Sequence, residues 1–204
     1  ILSRLVGSEM CIRDSLLGHP DRIEAVKEEL GLTFDCEIID VRYDPRRRGD
    51  YADELHKLRG RKGLTRRDAI NQLKSPNYFG PMMVHCGDAD GYLGGIAHNY
   101  PDIVKPCLQT IGPDPSSHRI VGLYMMTVNG QLMFIADATI NIYPDARTLA
   151  EIAIQTAKVA RRFGVSPKVA MLSFSNFGTS NELRTDRIEE AIAMARELDR
   201  GLVI

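Results

Sequence analysis

Apolar residues recur along this chain with two periods. In DRIEAVKEELG, Ile23, Val26 and Leu30 fall three and four residues apart, with Asp21 near the start and Gly31 at the stop, which predicts a helix. CEIIDV is short and unbroken and reads as a strand. Tyr51, Leu55 and Leu58 mark a second helix, and Thr65 opens a third through TRRD, a capping pattern that turns Ala69, Ile70 and Leu73 inward. GPMMVHCG reads as a buried strand, with GYLGGIAH as a small-residue element after it. HRIVGLYMMTV and GQLMFIADATI are two strands, and the Asn-Gly pair between them is the strongest two-residue hairpin signal. Thr148 and Glu151 have capping-box spacing, with Leu149, Ile152, Ala153, Thr156, Ala160 and Phe163 as the stripe of the helix behind. Residues 169–172 read as a buried strand, and Ile188, Ala191, Ile192, Ala195 and Leu198 line one face of a closing helix.

Strand and helix in alternation, with one antiparallel hairpin inserted, predict an α/β protein built on a mostly parallel sheet. There is no internal repeat. TIGPDPSSH, with two prolines and two serines, is the candidate boundary, which divides the chain into a first subdomain over 16–110 and a second over 111–204.

At 204 residues and 44% apolar content the chain can bury a sizeable core. Lys and Arg number 26 against 27 Asp and Glu, so the net charge points to neither nucleic acid nor an anionic membrane. No apolar run approaches the roughly 18 residues of a membrane span. Cys11, Cys36, Cys86 and Cys107 form no C-x-x-C pair and no zinc spacing. A reducing cytoplasm is therefore expected, without a disulfide framework or a structural metal. The opening ILSRLVGSEMCIRDS resembles translated sequencing-adapter sequence, and residues 1–15 are expected to be non-native. RELDRGLVI starts a new apolar run after a helix and reads as a strand cut short, so both subdomains are expected to be incomplete.

G-x-G-x-x-G, P-loop, G-x-S-x-G and H-E-x-x-H signatures are absent, which disfavours an ordinary dinucleotide or nucleoside triphosphate site. From Arg42 to Arg67, ten Lys and Arg face four Asp and Glu. The triplet Arg46, Arg47 and Arg48 is as readily a solvated face as a ligand site. LRGRKGLT is the stronger candidate, because two glycines bring backbone and the guanidinium groups of Arg59 and Arg61 together before a capped helix start, a natural anion site. Asp88 and Asp90 could bind Mg²⁺ or serve as acid and base, and are equally well turn formers beside glycine. The five histidines do not cluster, although His98 lies beside a glycine-rich loop. After residue 172 the chain turns to Ser173, Ser175, Asn176, Gly178, Thr179 and Ser180. These either cap the following helix or face a ligand at a strand's carboxyl end.

Four blocks, LRGRKGLT, GDADGYLGG, DIVKPCLQTIG and the long run from MFIADATINIYPDARTLAEIA to SFSNFGTS, together resemble the phosphate acetyl/butyryltransferase, or phosphotransacetylase, family across residues 16–204. The SFSNFGTS form is most similar to the phosphotransacetylase-like C-terminal domain of bacterial NADP-dependent malic enzymes. The resemblance implies a three-layer α/β/α fold in two subdomains, with a ligand cleft between them lined by 173–180. It implies acyl-CoA and phosphate as ligands, with no metal or cofactor bound in this chain, and a homo-oligomer. NADP and a divalent metal would belong only to a preceding malate-oxidising domain.

Residue by residue, the resemblance puts Arg59 at an active-site arginine and Lys105 where active members carry a second one. Asn181 stands where they tend to place a lysine. Lys105 keeps the charge and loses the planar fork that grips an oxyanion. The family's Asp and Ser-Arg block would fall after Ile204. Three functions are therefore expected, in falling order: a regulatory acetyl-CoA-binding domain of a malic enzyme, part of an active phosphate acyltransferase, and a nucleic-acid or other binding module. The 204 residues alone are expected to be inactive.

Overall fold

The computed structural model describes residues 13–114, 119–172 and 183–204, without the side chains of 183–185. The chain divides into two compact units, Ile1–Gly112 and Pro113–Ile204.

In the first unit, β1 (Ser15–Leu17) and β2 (Glu37–Ile39) pair in parallel, Leu16 opposite Ile38, with α1 (Pro20–Glu29) as the crossover between them. Pro20 opens α1 at a position that needs no N–H, and Gly31, at φ +61°, supplies the left-handed residue after its end. Helix α2 (Pro45–Arg59) starts on Asp44, whose carboxylate accepts from the Arg47 N–H. A 3-10 turn, Gly60–Lys62, leads to α3 (Arg66–Gln72), capped by Thr65 as its sequence predicts. Then come α4 (Pro76–Cys86) and α5 (Tyr100–Thr110). The core gathers Ile39, Val41, Tyr51, Ala52, Leu55, Ala69, Leu73, Phe79, Met82 and Met83, with the Tyr51 and Phe79 rings edge-on at 5.1 Å.

GPMMVHCG is not a strand. It is the second half of α4, which begins on a Ser75 cap and ends on Gly87 at φ +80°. Phe79 through Met83 are all buried, so no polar face marks the helical period, and a short helix buried all round is indistinguishable from a buried strand by pattern alone. GYLGGIAH has no regular secondary structure. Leu58 is exposed on the outer side of α2.

In the second unit, β3 (Leu123–Val128) and β4 (Gln131–Ala136) form the expected antiparallel hairpin. Asn129 at φ 49° and Gly130 at φ 78° have the two positive φ values of a type I′ turn. Helix α6 (Ala146–Arg162) buries Ile152, Ala153, Ala157 and Ala160, and α7 (Leu183–Leu198) packs against it through Ala191 and Ala195. The cap of α6 is Asp145, whose carboxylate accepts from the Thr148 N–H at 2.8 Å. Thr148, expected in that role, is a buried residue of the first turn. Leu198 and Phe163 lie at helix ends and are exposed, although the Phe163 ring still meets Phe134 at 5.9 Å.

Residues 169–172 do not form the expected buried strand. Lys168 makes one parallel bridge to Val203, the Val169 N–H donates to the Val203 carbonyl at 2.9 Å, and Leu172 is 84% exposed. A strand needs a neighbour along its length, and the apolar run at the end of the described chain pairs with this segment only there, among the described residues. Among the described residues, half-helical content with one parallel and one antiparallel strand pair makes the protein α/β. Among the described residues no helix is long and apolar enough to cross a membrane.

Candidate functional site

The ten cations between Arg42 and Arg67 are sorted by their partners. Arg42 is gripped by both carboxylate oxygens of Asp40, at 3.2 and 3.1 Å. The Arg42 guanidinium holds the Asp40 carboxyl below its ordinary value. Arg47 joins α2 to β2 through Glu37 at 3.1 Å. Arg48 donates to the carbonyls of Val41 and Arg42. Lys57 pairs with Glu54, and Arg66 with Asp53. Arg59, Arg61 and Lys62 make no ion pair among the described residues, and neither do Arg46 and Arg67.

The LRGRKGLT stretch thus keeps its charge available. Its backbone is fixed: Gly63 takes φ +89°, its N–H donates to the Gly60 carbonyl at 2.9 Å, and the His56 ring meets the Leu64 carbonyl at 2.8 Å. Arg59 is half-buried, whereas Arg61 and Lys62 are exposed.

Two contacts tie neighbouring elements together. The Tyr78 hydroxyl of α4 donates to Gln109 Oε1 of α5 at 2.8 Å. Burial raises the Tyr78 phenol above its ordinary value, and the Arg59 charge opposes that rise. Lys105 stands one turn before Gln109 on α5 and is exposed. Tyr92 anchors the glycine-rich loop. Its ring lies directly on Gly80 of α4, where any Cβ would overlap it, and its hydroxyl donates to the buried Asn77 Oδ1 at 3.2 Å. Past Tyr92 the loop leads to His98, which is exposed and whose N–H donates to the Gly95 carbonyl at 3.1 Å before α5 begins. Arg59, His98 and Lys105 therefore belong to three segments that meet α4 or α5. Ser173, Ser175, Asn176, Gly178, Thr179, Ser180 and Asn181 lie outside the described residues.

Neither the Tyr78–Gln109 bond nor the Tyr92 anchor has a local signal in the sequence. Asp88 accepts from the Tyr51 hydroxyl, and burial together with that carboxylate pushes the Tyr51 phenol far above its ordinary value. The pair borders a cavity of about 620 Å³ at the start of α2, with Arg46 and Asp50. That cavity lies at the other end of α2 from Arg59. Arg47 and Glu54 of its lining are engaged, with Glu37 and Lys57, while Arg46 is unpaired among the described residues. Among the described residues no three His, Cys, Asp or Glu side chains gather as a metal site.

Parallel strands joined by a helix, an antiparallel hairpin and a fixed basic loop define an α/β protein of the kind seen in a EutD phosphotransacetylase from Staphylococcus aureus. The two superpose with a TM-score of 0.79 at 31% identity, over 94% of this chain and 59% of that one. The phosphate acetyl/butaryl transferase model matches residues 7–204, and the chain belongs to that family. A phosphate acetyltransferase of Bacillus subtilis is 36% identical over 198 residues, 96% of this chain and 60% of that protein. A probable NADP-dependent malic enzyme of Rickettsia prowazekii is 33% identical over 92% of this chain, which is 26% of its own length. The chain thus spans about 60% of the Bacillus relative and a quarter of the Rickettsia one.

Proposed function

We propose that this chain is part of a phosphate acyltransferase, a cytoplasmic homo-oligomer that moves an acyl group between the thiol of coenzyme A and inorganic phosphate. The observation that carries this reading is the pairing pattern of the basic block. Arg59 and Arg61 stay unneutralised on a fixed backbone, whereas Arg42, Arg47, Lys57 and Arg66 of the same block are engaged. A phosphate oxygen attacks the thioester carbonyl, a C–O bond forms, the C–S bond breaks, and the departing thiolate takes up a proton. Arg59 holds the phosphate, and Lys105 supplies a second cation for the oxyanion that develops on the carbonyl. The small polar residues at 173–180 receive the coenzyme. None of these steps calls for a metal or cofactor.

The relatives named phosphate acetyltransferase support this order of preference over the sequence-based one. The second reading, a domain that binds acetyl-CoA as the effector of a malic enzyme, is supported by the Rickettsia relative and by Lys105 and Asn181 standing where active members carry Arg and Lys. CoA release from acetyl-CoA with phosphate, assayed on the complete polypeptide, separates the two. Turnover above about one per second, the low end of ordinary enzyme rates, is expected for the transferase. Saturable acetyl-CoA binding without turnover would replace it with the sensor.

A further inference from the structure

A second cavity, of about 560 Å³, lies under α1 in the first unit and shares no residue with the Arg59, His98 and Lys105 segments. Its size is that of a small-molecule site. Helix α1 buries none of its ten residues. Its apolar face turns Ile23 and Val26 toward Leu16 and Leu17 of β1 and toward Phe34, yet Val26 remains 43% exposed. An apolar lining left this open loses the transfer free energy that packing would bring, about 25 cal/mol for each Å².

The lining carries Arg22, Lys27, Arg42 and Lys74 against Asp40, and these charges are sorted by partner. Lys27 is bound to Glu24 at 3.0 Å and lies over the Phe34 ring, 4.9 Å from its centroid. Arg42 is bound by Asp40, the one carboxylate of the lining. Arg22 and Lys74 have no carboxylate partner among the described residues, and Lys74 donates only to the Asn71 side-chain oxygen at 3.0 Å. The cavity therefore presents an apolar wall and two uncompensated cations.

We propose that this cavity binds an amphipathic organic anion, with an alkyl chain along Ile23, Val26, Leu17 and Phe34 and a carboxylate or phosphate head held by Arg22 and Lys74. Apolar and anionic parts are both required. A neutral chain leaves the two cations without a partner, and a bare anion leaves the apolar wall open. The site is independent of the acyl-transfer reading, because no residue is common to both.

Calorimetric titration of the complete polypeptide with decyl phosphate and with decanoate, each below its micelle concentration, tests this. Saturable binding of one molecule per chain is expected for one or both, and their ratio tells a phosphate site from a carboxylate site. Decanol, which lacks the anionic head, should bind at least about tenfold more weakly, since a charge-assisted contact is worth that much or more. The double variant Arg22→Glu/Lys74→Glu should lose at least about tenfold for the anions, and Val26→Trp should block them while acetyl-CoA binding is unchanged. Absence of saturable binding, as when another stretch of polypeptide or a second copy covers the cavity, would overturn the proposal. Binding that survives the double charge reversal would do the same.

Discussion

Arg47 and Arg59 stand at opposite ends of α2, and their partners give them different work. Arg47 fastens the helix to β2 through Glu37, an exposed pair of the kind worth about 0 to 1 kcal/mol. Arg59 has no such partner, so its charge is free for a ligand. Arg59→Ala should weaken phosphate or acetyl-CoA binding by about 1.5 to 3 kcal/mol, and Arg47→Ala should leave that affinity in place, both read by calorimetry. Equal losses at the two positions would make the basic block a diffuse surface. Asp137, after β4, offers a test by pH. Burial would raise its carboxyl, but the N–H groups of Thr139, Ile140 and Asn141 outweigh that and hold it below its ordinary value. A lowered carboxyl stabilises the fold above the unfolded value, about 3.9, and loses that contribution as pH falls through the folded one. Asp137→Asn should therefore lower Tm at pH 7, and its gap from wild type should narrow below about pH 4.

At the scale of the element, α4 carries the tightest constraint. Alanine at position 80 would favour the helix by roughly 1 kcal/mol over glycine in an open site. Here its Cβ would meet the Tyr92 ring and come within 3.2 Å of Leu17 Cδ1. Overpacking of that kind costs about 1 to 3 kcal/mol, so Gly80→Ala should destabilise the protein in denaturant titration, and Tyr92→Leu in the same chain should recover part of the loss. The elements differ in how far the sequence discloses them. The hairpin was legible because Asn129 and Gly130 take the two backbone conformations their types favour. The α3 start was legible because Thr65 and Asp68 cap it locally. Helix α4 was misread because burial on every side erased its period, and the α6 cap was misplaced because Asp145 and Thr148 are both good cap types three residues apart. The basic loop was visible through its glycines. The bonds that tie its neighbours together, Tyr78 to Gln109 and Tyr92 to Asn77, join residues distant in sequence and leave no local trace.

For the whole molecule, family and fold rest on the match over residues 7–204 and on the superposition with the Staphylococcus structure. Each unit contributes differently to what was legible in the sequence. The first holds the basic block, which is local in sequence, and the second a scaffold of α6, α7 and the hairpin, with residues 173–182 outside the described residues. The turn between β3 and β4 has one more consequence. Asn followed by glycine is the pair in which the next backbone nitrogen most readily attacks the side-chain amide, expelling ammonia and leaving aspartate or isoaspartate once the ring opens. Residues 123–136 contain no charged side chain, so that event would place the first negative charge in the hairpin, at the exposed turn that sets its register. The residue pair that lets the hairpin form is also its slowest clock, and the age of a protein sample becomes readable there as a single added charge.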